Sequence, residues 1–100
     1  MRLPAVLQIS EKQFMAQVIE LAHLYKWKTY HTFDSRRSAS GYPDLTLVRG
    51  NRCIHAELKS AKGRLTPEQK EWLDALNAVP GVESYCWRPD DWDEIVDILN

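Results

Sequence analysis

Apolar residues fall at helical spacing in two stretches of this chain, and the same polar signature precedes both. Ser10-Glu11-Lys12-Gln13 has the form of a capping box, in which the serine hydroxyl and the glutamine side chain satisfy each other's backbone N–H groups. Phe14, Val18, Leu21, Ala22 and Tyr25 follow three or four residues apart and predict a first helix to about Lys26. Thr66-Pro67-Glu68-Gln69 repeats the box, with proline at the first helical position. The helix it opens turns Trp72, Leu73, Leu76 and Val79 inward, and Pro80-Gly81 stops it. Elsewhere the pattern is that of strands. Thr29 to Phe33 is rich in β-branched and aromatic residues. Pro43 to Arg49 and Arg52 to Ser60 flank Gly50-Asn51, which is turn chemistry, so these two runs predict a hairpin. Val82 to Trp87 reads as a fourth strand, and Asp90-Asp91-Trp92-Asp93 opens a last helix with Trp92, Ile95, Val96 and Leu99 inward. Asp34 to Tyr42 and Lys62-Gly63-Arg64 read as loops. The order α-β-β-β-α-β-α predicts an α/β fold, a mixed sheet flanked by helices, as one domain over residues 1–100.

Composition narrows this little. An apolar content of 44% with four Trp, four Tyr and two Phe belongs to a folded globular chain. No stretch reaches the length of a membrane span, and MRLPAVLQIS is too weak for a signal peptide. Cys53 and Cys86 lack metal or redox spacing and read as reduced core thiols of a cytoplasmic protein. Charge changes the picture more. All 13 Lys/Arg lie in residues 1–89 against nine acids, a net of +4, whereas residues 90–100 hold five acids and no base. A basic body with an acidic last helix is compatible with binding phosphate on one face.

The candidate chemistry is concentrated in Pro43-Asp44 and Glu57-Leu58-Lys59. Residues two apart on a strand share a face, so Glu57 and Lys59 point one way and Ile54, Ala56 and Leu58 the other. Asp44 begins the neighbouring hairpin strand, which brings its carboxylate near Glu57. Two carboxylates and a strand carbonyl, that of Leu58, suit a hard divalent cation. Such a cation polarises a phosphodiester, and a lysine beside it can orient or deprotonate a water or offset the charge growing on phosphorus. The structural alternatives are a turn aspartate after proline and a solvated Glu-x-Lys strand face.

Taken together, Pro43-Asp44 and Glu57-Leu58-Lys59 resemble the signature of the PD-(D/E)xK nuclease superfamily, whose restriction-endonuclease-like core has the same α-β-β-β-α-β order. Glu11 matches the upstream acidic position. The run Lys59-Ser60-Ala61-Lys62-Gly63-Arg64-Leu65-Thr66-Pro67-Glu68-Gln69, ending in a helix with Trp72, is similar to the VRR-NUC branch, particularly its short stand-alone phage and bacterial members. Ser40-Gly41-Tyr42-Pro43-Asp44 is similar to a run in archaeal-type Holliday junction resolvases. The resemblance spans about residues 10–88. It implies Mg²⁺- or Mn²⁺-dependent DNA cleavage with Asp44 and Glu57 as ligands, Lys59 catalytic, and Glu11 and Gln69 supporting. It also implies a homodimer acting on branched DNA such as four-way junctions, in the cytoplasm of a bacterium or phage-infected host.

Gln69 and Glu11 have structural rivals, the first as the capping partner of Thr66 and the second as a carboxylate favoured by the helix dipole. His31 reads as a packed strand histidine. His55 shares the Glu57 face and is expected to make a cross-strand hydrogen bond. Arg36, Arg37, Lys62, Arg64 and Lys70 flank the proposed site and are the expected phosphate contacts. Trp27, Tyr30, Tyr42 and Trp87 are aromatic candidates for stacking on unpaired bases. A DNA-binding module without chemistry and a ribonuclease remain the competing readings, since the same acids and lysine serve either sugar.

Overall fold

The structure, a computed structural model, describes residues 8–33 and 39–100. Both capping boxes form. Ser10 Oγ accepts the Gln13 N–H at 3.1 Å, and Gln13 Oε1 accepts the Ser10 N–H at 3.0 Å. Helix α1 (Glu11–Leu24) follows and buries Phe14, Val18 and Ala22. Lys26, at φ +72°, reverses the chain into β1 (Lys28–His31). That strand is shorter than expected, because pairing ends two residues before Phe33.

The hairpin is β2 (Leu45–Arg49) and β3 (Arg52–Leu58), in register Leu45↔Ala56 to Arg49↔Arg52. Gly50, at φ +60°, makes the turn. Helix α2 (Pro67–Asn77) starts at Thr66 as read and returns the chain to β4 (Val82–Trp87), parallel to β3. The sheet order is β1-β2-β3-β4, antiparallel except for the last pair. The last helix departs from expectation in its first turn. Pro89–Asp91 is 3₁₀, and α3 proper is Trp92–Leu99.

One sheet face carries Leu45, Leu47, Ile54, Ala56, Leu58 and Trp87 into a core completed by Phe14, Val18, Ala22, Trp27, Ile95 and Leu99. Fully burying each larger side chain contributes about 1.5–3 kcal/mol. Trp27 and Trp87, read as possible stacking residues, are instead core, at 3% and 2% exposed. The Trp27 indole N–H donates to Leu99 O at 2.9 Å and so pins α3.

Helix α2 lies over the β3–β4 half of the other face. Leu73 packs inward, Ser84 Oγ donates to Leu73 O at 2.7 Å, and Asn77 Oδ1 accepts the Ser84 N–H at 2.9 Å. Strand β3 is therefore covered on both sides, and Ile54 to Leu58 are all buried. Among the described residues no helix lies over the β1–β2 half of that face, and Tyr30 and Val48 are exposed there. Val79, expected inward on α2, is exposed because the helix ends at Asn77. Among the described residues no helix is long and apolar enough to cross a membrane. Both cysteines are free and half-buried rather than core.

Candidate functional site

The site lies where β2 begins and β3 ends, with the N-termini of α1 and α2 on either side. Pro43 is fully buried and fixes the approach to β2. Thr32 then clamps the segment twice. Its N–H donates to Asp44 O at 2.9 Å and its hydroxyl to Pro43 O at 3.0 Å. Asp44 sits one residue before β2 rather than in it, opposite Glu57 by extension of the register. Its Oδ2 accepts the Leu58 N–H at 2.8 Å, and its charge bears on Glu57.

Glu57 is 3% exposed, so the solvated-face alternative fails. Burial pushes its pKa up to about 8, with the charge of Asp44 adding to the shift and Lys59 opposing it. Gln69 Nε2 donates to Glu57 Oε2 at 3.2 Å, and Lys59 Nζ stands 3.7 Å from the same oxygen. Glu57 Oε1 is buried with no partner among the described residues. Gln69 makes contacts on both sides. Its Oε1 accepts the Thr66 N–H at 2.9 Å to cap α2, and its amide N–H reaches the acid pair.

Glu11 begins α1 as expected. Its Oε1 accepts the Ser60 N–H at 3.4 Å, and its charge adds to the upward pressure on Glu57. Helix α1 and the sheet end enclose a cleft of about 250 Å³ lined by Glu11, Lys12, Met15, His31, Thr32, Asp44 and Leu58. His31 thus belongs to the wall of the site. His55 is buried beside Tyr42, but its Nδ1 has no partner among the described residues, so the expected cross-strand bond is missing there. Burial lowers its pKa. Cys86, level with Glu57 across the parallel pair, is held as a thiol by burial.

The basic residues divide. Lys62 and Arg64 are exposed on the loop after β3. Lys70 is exposed on α2 and pairs with Asp74 at 3.2 Å. Arg36 and Arg37 lie outside the described residues. Two positioning residues escaped sequence reasoning. Arg88 Nη1 donates to Ser60 O at 2.8 Å and to Gly63 O, tying down the loop that follows Lys59. Gly41, at φ +85°, rests on the first turn of α2, where a Cβ would fall 2.5 Å from Glu68 C and 2.7 Å from Gln69 N. The Gly-x-Pro-Asp spacing was a signal for Gly41. Nothing local marks Arg88.

Glu57, buried beside Asp44 with an unpartnered oxygen and a raised pKa, lacks positive charge, which is the condition a divalent cation relieves. Among the described residues no third His, Cys, Asp or Glu joins Asp44 and Glu57 in a metal-binding group. The donor set therefore fits a hard cation only with backbone oxygen, as at Leu58, and solvent completing it.

The family profile for the VRR-NUC domain matches residues 5–87. A solved structure described as a VRR_NUC domain protein aligns with a TM-score of 0.69 over 91% of this chain and 85% of that one. At 21% identity that likeness shows the fold. No curated protein matches the chain.

Proposed function

This chain belongs to the VRR-NUC domain family, and on that premise we propose that it is a Mg²⁺- or Mn²⁺-dependent DNA endonuclease. The observation carrying this reading is buried Glu57 opposite Asp44, with Lys59 and Gln69 directed at one oxygen of Glu57. Asp44, Glu57 and the Leu58 carbonyl would hold the cation. When bound, it supplies Lewis-acid activation of the phosphodiester and of a water molecule.

The chain's own groups do the rest. Gln69 holds the Glu57 carboxylate in one orientation from the rigid start of α2, and the Leu58 N–H does the same for Asp44. Lys59 directly follows β3, with its side chain 11% exposed and its ammonium 3.7 Å from Glu57, so that it would face a phosphate held at the acids. There it offsets the negative charge that grows as water attacks phosphorus and the P–O bond to the leaving oxygen breaks. Glu11 stands at the cleft rim, able to orient the attacking water. Lys62 and Arg64 would contact flanking phosphates, giving affinity without sequence readout. The substrate we propose is branched DNA, four-way junctions included, cut by a homodimer.

Cleavage of linear duplex, single strand, flap, fork and four-way junction, as DNA and RNA with Mg²⁺, Mn²⁺ or EDTA, tests this on one gel. Metal-dependent cutting of branched DNA is expected. Lys59→Ala and Asp44→Asn should each lower it at least 100-fold (about 2.7 kcal/mol of barrier) while melting as cooperatively as the parent chain. Full activity in both variants would remove the mechanism. Tight metal-insensitive binding without cutting would make the chain a DNA-binding module.

A further inference from the structure

The most exposed large hydrophobic side chain among the described residues is Phe33, at 82%, and it packs on His31, a residue of the cleft wall. Its ring lies against His31, with centroids 4.1 Å apart and planes tilted by 42°. His31 lines the cleft together with Asp44 and Leu58. Thr32, between the two rings, is bound to Pro43 O and Asp44 O. The pair is thus held at a fixed offset from the candidate metal ligands. We propose that the His31–Phe33 ring pair is a stacking platform for one unpaired base of the DNA strand whose phosphate enters the cleft. The proposal rests on the nuclease reading and names the feature of DNA that the site selects.

The physical argument has three parts. A bare aromatic face in water gains by covering itself, and every nucleobase offers a π-face of matching size. Bases inside a duplex have both faces occupied by their neighbours, so only an unpaired nucleotide, at a branch point or a frayed end, can take this position. Lys12, exposed in the same cleft, supplies positive charge for a phosphate of that nucleotide. A protein partner or a second copy would gain from the rings as well, but would not explain their tether to Asp44. Val79, exposed at 48% just past the end of α2, is not among the residues lining the cleft. It provides the control.

The test is a binding cycle on the full chain in EDTA, using a forked DNA and versions with a single abasic nucleotide moved through the unpaired stretch. The parent chain should lose about tenfold in affinity at one abasic position, within the range a single base–aromatic stack contributes. Phe33→Ala should show the same loss on intact DNA and become indifferent to that abasic site. Val79→Ala should behave as the parent. An unchanged affinity in Phe33→Ala, or a loss equal for linear duplex and fork, overturns the platform. A changed sedimentation coefficient with an unchanged abasic profile overturns it too, assigning Phe33 to a protein contact. Cleavage by the parent chain with Mg²⁺, run in parallel, separates the two readings. Its absence removes the nuclease, while the abasic cycle still decides the stacking.

Discussion

Glu57 combines two properties that strand alternation could not give together. Its shared face with Lys59 was legible, because a period of two fixes which side chains point alike. Its burial was not, because that depends on α2 crossing back over β3, which is a tertiary fact. The consequence is measurable. In the metal-free fold the proton is held more tightly than in the unfolded chain, as the pKa stands near 8 instead of the ordinary 4.5. Stability is therefore full below about pH 4.5 and declines as pH rises towards 8, with a slope of at most about 1.4 kcal/mol per pH unit. Thermal melts in EDTA at intervals from pH 5 to 8 should show that decline, and Mg²⁺ or Mn²⁺ should reverse it. Glu57→Gln should flatten the profile and abolish the metal's effect. A pH-independent melting temperature in EDTA would mean that Glu57 is ionised in the fold without a cation.

The elements themselves were largely readable, since their signals are local. Both helix starts were correct because a capping box needs only four residues. Errors fell where distant chain decides. Strand β1 ends at His31, with Thr32 still bonded through its N–H to Asp44 O and through its hydroxyl to Pro43 O, and Val79 misses the core because α2 has already ended. Gly41 was marked by the Gly-x-Pro-Asp spacing, but its contact with α2 is tertiary. Its positive φ and its seat on α2 join the loop that delivers Asp44 to the helix that delivers Gln69. Gly41→Ala forces either the loop or α2 to move. It should cost about 1–3 kcal/mol in denaturant unfolding, with a larger fall in kcat than a stability loss alone produces. Wild-type kcat in a protein destabilised to that extent would show that the loop–helix contact does not set the site. Arg88 acts at the same scale through the 60–63 carbonyls. Arg88→Ala should raise KM for DNA by freeing the loop with Lys62 and Arg64, and Arg88→Lys should recover only part of it, since one ammonium lacks the planar fork of donors.

At the scale of the molecule, the homodimer we propose needs a surface away from the cleft. Helix α1 offers one. Glu11 marks the cleft at its start, and Leu21 and Leu24 lie towards its end. At 1.5 Å per residue those ends are roughly 20 Å apart. There Leu21, Leu24 and Trp92 line an open groove of about 570 Å³, mostly apolar, with Leu24 at 69% exposed. A second copy seated on this groove leaves both clefts open. Two cutting sites then ride on one assembly, the arrangement a branched DNA with two strands to cut requires. The groove also lies beside α3, whose Asp93, Glu94 and Asp97 are exposed and would repel phosphate. That charge would steer DNA to the cleft end and leave the groove to protein. Leu24→Glu tests this cleanly, because an exposed residue can be changed with a stability effect within about 0.5 kcal/mol. By sedimentation the parent chain should run as a dimer and Leu24→Glu as a monomer that melts at the same temperature. Paired cuts across a four-way junction should be lost in the variant, while single nicks persist. A variant that sediments with the parent and still makes paired cuts would move the interface elsewhere. A parent chain that stays monomeric at micromolar concentration would leave the two cuts to separate encounters.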